Sequence, residues 1–265
     1  YKHWQSNIAW AYQSSSKKAS HAKLTKFSSG KGYIDQIYYV NLIKNERFLH
    51  MNVNIDIGYS KSLTLYKNVN ISFKAGDIIN IVGENGSGKS TLYKTLIGKI
   101  PALKGEVSTE IKSNIATISD YISIPKELLV SDVLDFIGKE SVEKAKSKYS
   151  DIFKIVIDYR SQKVKTLSSG QGRILEIFAA LASGKSIIIL DEACNALDFK
   201  NKDIFLAQVK KLAGSGVVIF NTSHNLEDVF YLSGIIYVLH KEKKSISTYD
   251  GEKSVEKLSL FMRQQ

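Results

Sequence analysis

Nine consecutive residues have the types that hold a polyphosphate: Gly83, Glu84, Asn85, Gly86, Ser87, Gly88, Lys89, Ser90 and Thr91. The mostly apolar run Asp77–Val82 before them reads as a buried strand. Lys89–Ile97 after them has helical spacing, with Leu92, Leu96 and Ile97 on one side. A glycine-rich turn between strand and helix lets backbone N–H groups converge on one point, and the helix N-terminus adds the positive end of its dipole. Lys89 is then placed for the β- and γ-phosphates of a nucleotide, and the Ser90 hydroxyl for Mg2+. The rival reading, a glycine-rich turn before an ordinary helix, has to treat the strand, loop, Lys and Ser as coincidence.

A second apolar run, Ile187-Ile188-Ile189-Leu190, ends in Asp191 and Glu192. A buried strand that delivers two carboxylates places Asp191 beside the cation, through water, and Glu192 where it can orient or deprotonate an attacking water. Alone, such a pair often caps the next helix. Together with the phosphate loop it identifies a P-loop NTPase.

Leu167-Ser168-Ser169-Gly170-Gln171 closely resembles the signature motif of ATP-binding cassette (ABC) ATPases, with Ser169 where Gly is usual. Asn195-Ala196-Leu197-Asp198 resembles that family's D-loop, and His224, after Asn221-Thr222-Ser223, its switch histidine. Tyr59, preceded by Gly58, stands where the family places an aromatic against adenine. The resemblance covers about residues 51–240. It implies ATP as the nucleotide and a polar contact of His224 with the γ-phosphate. It also implies that Ser168, Ser169, Gly170 and Gln171 serve ATP held by another subunit, hence an ATP-sandwiched homodimer or paired cassette. The implied architecture is a RecA-like, mainly parallel sheet with an antiparallel β subdomain and a helical insert. Two positions depart from the family pattern. Asp120 ends the segment Ile115–Asp120 where the family usually has a Gln that touches Mg2+ and the attacking water; a carboxylate can meet Mg2+ but cannot donate a hydrogen bond as an amide does. Ala193 replaces the proline that commonly follows the catalytic Glu.

The elements needed to position these residues are legible as well. Asn52–Ile57 and Leu63–Phe73 alternate like half-buried strands. Ile115–Ile118, Ser186–Leu190, Val217–Phe220 and Ile235–Leu239 read as short buried strands, with helices at about Gly170–Ala182 and Lys202–Leu212. Glu127–Tyr159 reads mostly helical, with Leu128, Leu129, Val133, Leu134 and Ile137 in one stripe, Ser131 as N-cap and Asp132 in the first turn. Strands alternating with helices make an α/β chain with a parallel, wound sheet, and Lys126–Ser168 a helical insert in it, a subdomain over about 121–170.

Composition sets the outer limits. The chain has 265 residues, a net charge of +11 and 43% hydrophobic residues, enough for one α/β domain with an insert. Positive charge gathers early: residues 1–47 hold eight Lys and Arg against Asp35 and Glu46. This Ser- and Lys-rich stretch reads as a solvated basic extension over residues 1–50. The chain begins with Tyr1 rather than Met, as a processed, truncated or engineered product would, and Met51 opens what reads as the cassette, residues 51–265. Apolar runs such as Ile177–Ala182 fall far short of a bilayer span of ~20 residues. A single cysteine, Cys194, allows no internal disulfide. The resemblance implies a cassette peripheral to the inner face of the cell membrane, coupled to a transmembrane permease, with ATP and Mg2+ as cofactors and no nucleic acid partner. The resemblance leans to export. A soluble ABC ATPase on DNA or ribosomes is the alternative, and neither the long coiled-coil insert nor the second cassette of such relatives is present. A nucleotide-binding regulator slowed by Asp120 is countered by the intact Lys89, Asp191, Glu192 and His224. In a fourth reading, residues 1–50 are the tail of a fused membrane domain.

Overall fold

Parallel strands covered on both faces read as unbroken apolar runs, and the runs found above form the centre of one mixed sheet. The computed structural model describes residues 50–119, 124–195 and 197–264. All of the extension but His50, as well as Asp120 and Ala196, lies outside the described residues. Asn52–Gln265 forms one unit.

Strand β1 (Met51–Ser60) lies between β2 (Leu63–Phe73) and the two-residue β4 (Lys104–Gly105) in a three-stranded sheet, with β4 antiparallel to β1. The six-stranded sheet has the order β5-β6-β7-β3-β8-β9. Its strands are β3 (Ile78–Gly83), β5 (Ile115–Ser119), β6 (Ile187–Asp191), β7 (Val218–Thr222), β8 (Ile235–His240) and β9 (Ser245–Tyr249). All neighbours pair in parallel except β8 with β9. Strand side chains alternate between the two faces. Ile78, Ile118, Ile188, Leu190 and Ile219 enter the larger core, while Val82, Ile236 and Val238 enter a smaller one with Val229 and Leu258.

Helix α1 (Lys89–Leu96) follows β3, and the short α2 (Thr109–Asn114) leads into β5. The segment that reads mostly helical over 127–159 is three helices: α3 (Val130–Ile137), α4 (Lys139–Lys148) and α5 (Ser150–Asp158). Gly138 separates the first two with φ 94° and ψ 138°, a conformation open to glycine and costly for other residues. The expected N-cap Ser131 is instead the second residue of α3. Leu129 is the cap residue, and its N–H donates to Asp132 Oδ2 at 2.8 Å, so the first-turn acid does the capping. Val133, Leu134 and Ile137 are buried as the stripe requires, and Leu128 packs against the same core. A bridge between Leu129 and Lys163 closes the insert at its base.

Helix α6 (Ser169–Ala182) packs against α3, α4, α5 and β5. Helices α7 (Phe199–Gly214) and α8 (Leu226–Leu232) flank β7, and α9 (Val255–Gln264) packs on β8 and α8. Helices α2 and α8 and strands β4 and β9 carry too little periodicity for the sequence reading to have included them; α9 was not read either, although Val255, Leu258, Phe261 and Met262 stand at helical spacing.

Candidate nucleotide site

Ligand sites of open parallel sheets lie beyond the carboxyl ends of the strands. Four neighbouring strands end there together. Ser119 pairs with Asp191, Asp191 with Thr222, and Thr222 with Ile81, two residues before Gly83. Sheet register therefore brings residues far apart in sequence to one edge.

The loop from Gly83 to Gly88 turns into α1 with Gly86 at φ 73° and Gly88 at φ 97°. A side chain at Gly88 would be strained by that φ, and its Cβ would lie 3.2 Å from both Leu65 Cδ1 and the Tyr66 ring. The Tyr66 hydroxyl donates to Ser87 O at 2.5 Å and fixes the loop from beneath; burial pushes its pKa up to about 12. The first N–H groups of α1 have no intrahelical partners and point out of its positive end, and no acidic residue occupies its first turn. Lys89 Nζ donates to Gly83 O at 2.8 Å and Glu84 O at 3.1 Å. Burial lowers its pKa, opposed by the charges of Glu192 and Asp191, so this lysine shares its field with both carboxylates.

Asp191 Oδ1 accepts a hydrogen bond from Thr222 Oγ1 at 2.9 Å. Glu192 has φ 52°, left-handed for a residue with a side chain, and its N–H donates to Thr222 O at 3.0 Å. Such backbone strain persists where surroundings hold it, often at functional sites. The Glu192 carboxylate is gripped on both oxygens: His224 Nε2 lies 2.5 Å from Oε1, and Asn195 Nδ2 donates to Oε2 at 2.9 Å. His224, expected against the γ-phosphate, thus stands against Glu192. Asn195 and Thr222 were legible only as members of motifs, and their contacts required the fold. Lys202 on α7 pairs with the buried Asp228 of α8 at 2.9 Å, tying the element after Asp198 to the element after His224.

Tyr59 ends 61% exposed, with its hydroxyl sharing a 3.0 Å hydrogen bond with Thr91 Oγ1. Its ring is open to stack on a flat ligand beside α1. A cleft of ≈320 Å³ adjoins the loop, lined by Gly83, Glu84, Asn85, Ser223, His224 and Arg263 among others. None of Ser168, Ser169, Gly170 or Gln171 is among its lining residues. Those four form the start of α6. Ser168 is the N-cap, its Oγ accepting from Gln171 N at 3.3 Å, while Gln171 Oε1 accepts from Ser168 N at 2.8 Å. Ser169 in place of glycine is accommodated because it lies within the helix. An added Cβ at Gly170 would lie 3.3 Å from Asn201 Cβ, so the Asn201 side chain would have to give way slightly.

Residues 66–195 match the family model described as ABC transporter. The chain belongs to the ABC ATPase family. ATP hydrolysis is the reaction characteristic of that family, and these ATPases bind ATP and ADP. Among relatives of the cassette is a xylose import ATP-binding protein of Thermoanaerobacter pseudethanolicus, 32% identical over 71% of this chain and 42% of its own length. Another is named "Probable peptide export ATP-binding protein" in Bacillus subtilis, 28% identical over 72% of this chain and 91% of that protein. The fold matches that of cbiO1 from Clostridium perfringens, part of the ABC transporter complex cbiONQ, with a TM-score of 0.64 and 17% identity, covering 81% of this chain and 92% of that one. The cassette thus spans less than half of the xylose protein and most of the other two. No helix among the described residues is long and apolar enough to cross a membrane.

Proposed function

We propose that this chain is the ATP-hydrolysing subunit of a membrane transporter, with residues 51–265 as the cassette and about 121–170 as its helical subdomain. The observation that carries the reading is the gathering of Lys89, at the head of the helix after β3, with Asp191 and Glu192, at the end of β6, beyond the same edge of the sheet. Lys89 and the N–H groups from Gly83 to Thr91 bind the phosphates, and Tyr59 stacks on the base. Glu192, held by His224 and Asn195, takes a proton from the attacking water. Its two anchors leave it little freedom to turn away, so the base is oriented before the reaction begins. The family resemblance implies a polar contact of His224 with the γ-phosphate as well.

Ser90 and Asp191 suit Mg2+, with Asp120 as an additional oxygen donor. Mg2+ keeps several waters and is completed by substrate phosphates, so a small number of protein oxygen donors suits it. When bound, Mg2+ supplies charge neutralisation at the β- and γ-phosphate oxygens. The family resemblance implies that Ser168, Ser169, Gly170 and Gln171 serve the ATP of a second cassette in a homodimer or paired assembly. A transmembrane permease at the inner face of the cell membrane completes the machine. Relatives named for import and for export both match, and export is carried forward from the family resemblance.

The test is affinity purification of tagged Glu192→Gln from detergent-solubilised cells with ATP. A polytopic membrane protein in stoichiometric amount is the expected co-purifying species. Recovery of ribosomal or DNA-bound proteins in its place would give the soluble-ATPase reading precedence.

A further inference from the structure

Among the largest wholly buried side chains of the described residues is a charged one, Arg173, in the second turn of α6 and 1% exposed. Its Nε donates to Ala193 O at 3.1 Å, and its Nη1 donates to Ser119 O. Nη1 also lies 3.8 Å from Oε2 of the buried Glu176, further along the same helix. Ala193 directly follows Glu192, and Ser119 is the last residue of β5, paired with Asp191. One guanidinium therefore holds the chain beside the end of β6 and just beyond it. Burying such a group is costly unless its N–H groups are satisfied. Arg173 is thus a fixed donor to these two carbonyls, not a side chain free to swing away.

We infer that Arg173 is a positioning residue for hydrolysis, whose guanidinium ties the turn after Glu192 to the end of β5 and so holds the base at the angle from which it meets the attacking water. The inference rests on the assignment of Glu192 as that base. Glu192 has φ 52°, a conformation that lasts only where its surroundings hold it. Before the turn, the Glu192 N–H donates to Thr222 O at 3.0 Å. After the turn, Arg173 takes the carbonyl of the next residue. Asn195, which anchors Glu192 Oε2 at 2.9 Å, lies only two residues beyond Ala193. A turn released at Ala193 would carry that anchor away with it.

The full chain is assayed for phosphate release at saturating Mg-ATP, with KM for ATP and urea unfolding measured in parallel. Arg173→Lys keeps the charge beside Glu176 but puts a single nitrogen in place of the planar fork. It should lower kcat about 10- to 100-fold, the cost of a misplaced group, and leave KM within about twofold. Arg173→Gln combined with Glu176→Gln removes both charges together, so that neither is left buried alone, and should lower kcat likewise. Leu181→Ala, a cavity in the core face of the same helix, should cost stability and leave kcat within about twofold of wild type. In the Glu192→Gln background, Arg173→Lys should lower the residual rate by less than about twofold, because the group it positions is already gone. An equal loss with and without Glu192 overturns the inference. So does wild-type kcat in both Arg173 variants, or a kcat that follows stability across the set with Leu181→Ala included. Glu192→Gln that turns over like wild type overturns the assignment of the base, and this inference with it.

Discussion

Replacing Glu192 with Gln isolates the proton-accepting role from everything else the side chain does. Glu192 Oε2 takes the Asn195 amide at 2.9 Å, and Oε1 faces His224 Nε2 at 2.5 Å. A glutamine of the same length can keep both partners: its carbonyl accepts from Asn195, and its amide can donate to His224 Nε2 once the ring takes the tautomer with its proton on Nδ1. Fold and nucleotide affinity should therefore change little, with stability inside about 0.5 kcal/mol of wild type. What disappears is a base, and a positioned general base contributes roughly 10²–10⁴ in rate, equivalent to about 2.7–5.5 kcal/mol of barrier. Phosphate release at saturating Mg-ATP should fall by that factor, while binding of a fluorescent ATP analogue stays within about twofold of wild type. A variant that still turns over within about threefold of wild type would show that another group accepts the proton, and the reasoning from the two anchors would fail.

Gly88→Ala should destabilise the protein by about 1–3 kcal/mol in urea unfolding, since φ 97° costs a non-glycine residue about 1–2 kcal/mol and the new Cβ crowds Leu65 and Tyr66 at 3.2 Å. An unfolding midpoint equal to wild type would mean that the loop relaxes freely at this turn. His240 gives a pH dependence. Burial is the main cause holding its pKa below the usual 6.5. The unfolded chain therefore takes up a proton at a higher pH than the folded one, and stability is lost as pH falls from about 6.5 through the depressed folded value. Thermal denaturation of wild type should accordingly drop more steeply between pH 7 and 5 than that of His240→Gln, whose amide can still meet Ser247 Oγ, now 2.8 Å from His240 Nε2. Parallel profiles for the two proteins would remove His240 from the acid response.

Local chemistry was readable wherever the residue type and the backbone demand coincide. Gly86 and Gly88 at positive φ, Lys89 at the head of a helix and Asp191 at the end of an all-apolar strand follow from short-range rules. The strands β2, β3 and β6 were found within a residue or so because their periodicity or their continuous burial is strong. Helices α2 and α8 were not, being six and seven residues long, too short for a 3.6-residue period to show. Ser131 was mistaken for a cap because Ser is a good cap on average. The side chain that reached a free N–H was Asp132, three residues after Leu129.

The sequence by itself determined the phosphate loop, the two carboxylates after a buried strand, and the α/β alternation, because each depends on neighbours within one turn or one strand. It named Ser90, Asp191, Glu192, Asn195 and His224 but could not say which touch. Parallel pairing in the order β5-β6-β7-β3 decided that, by aligning strand ends drawn from residues 119, 191 and 222. His224 shows the limit most clearly. In sequence it is one histidine of five. It meets Glu192 only because β7 pairs beside β6 and brings the two strand ends together, a contact that no local rule encodes.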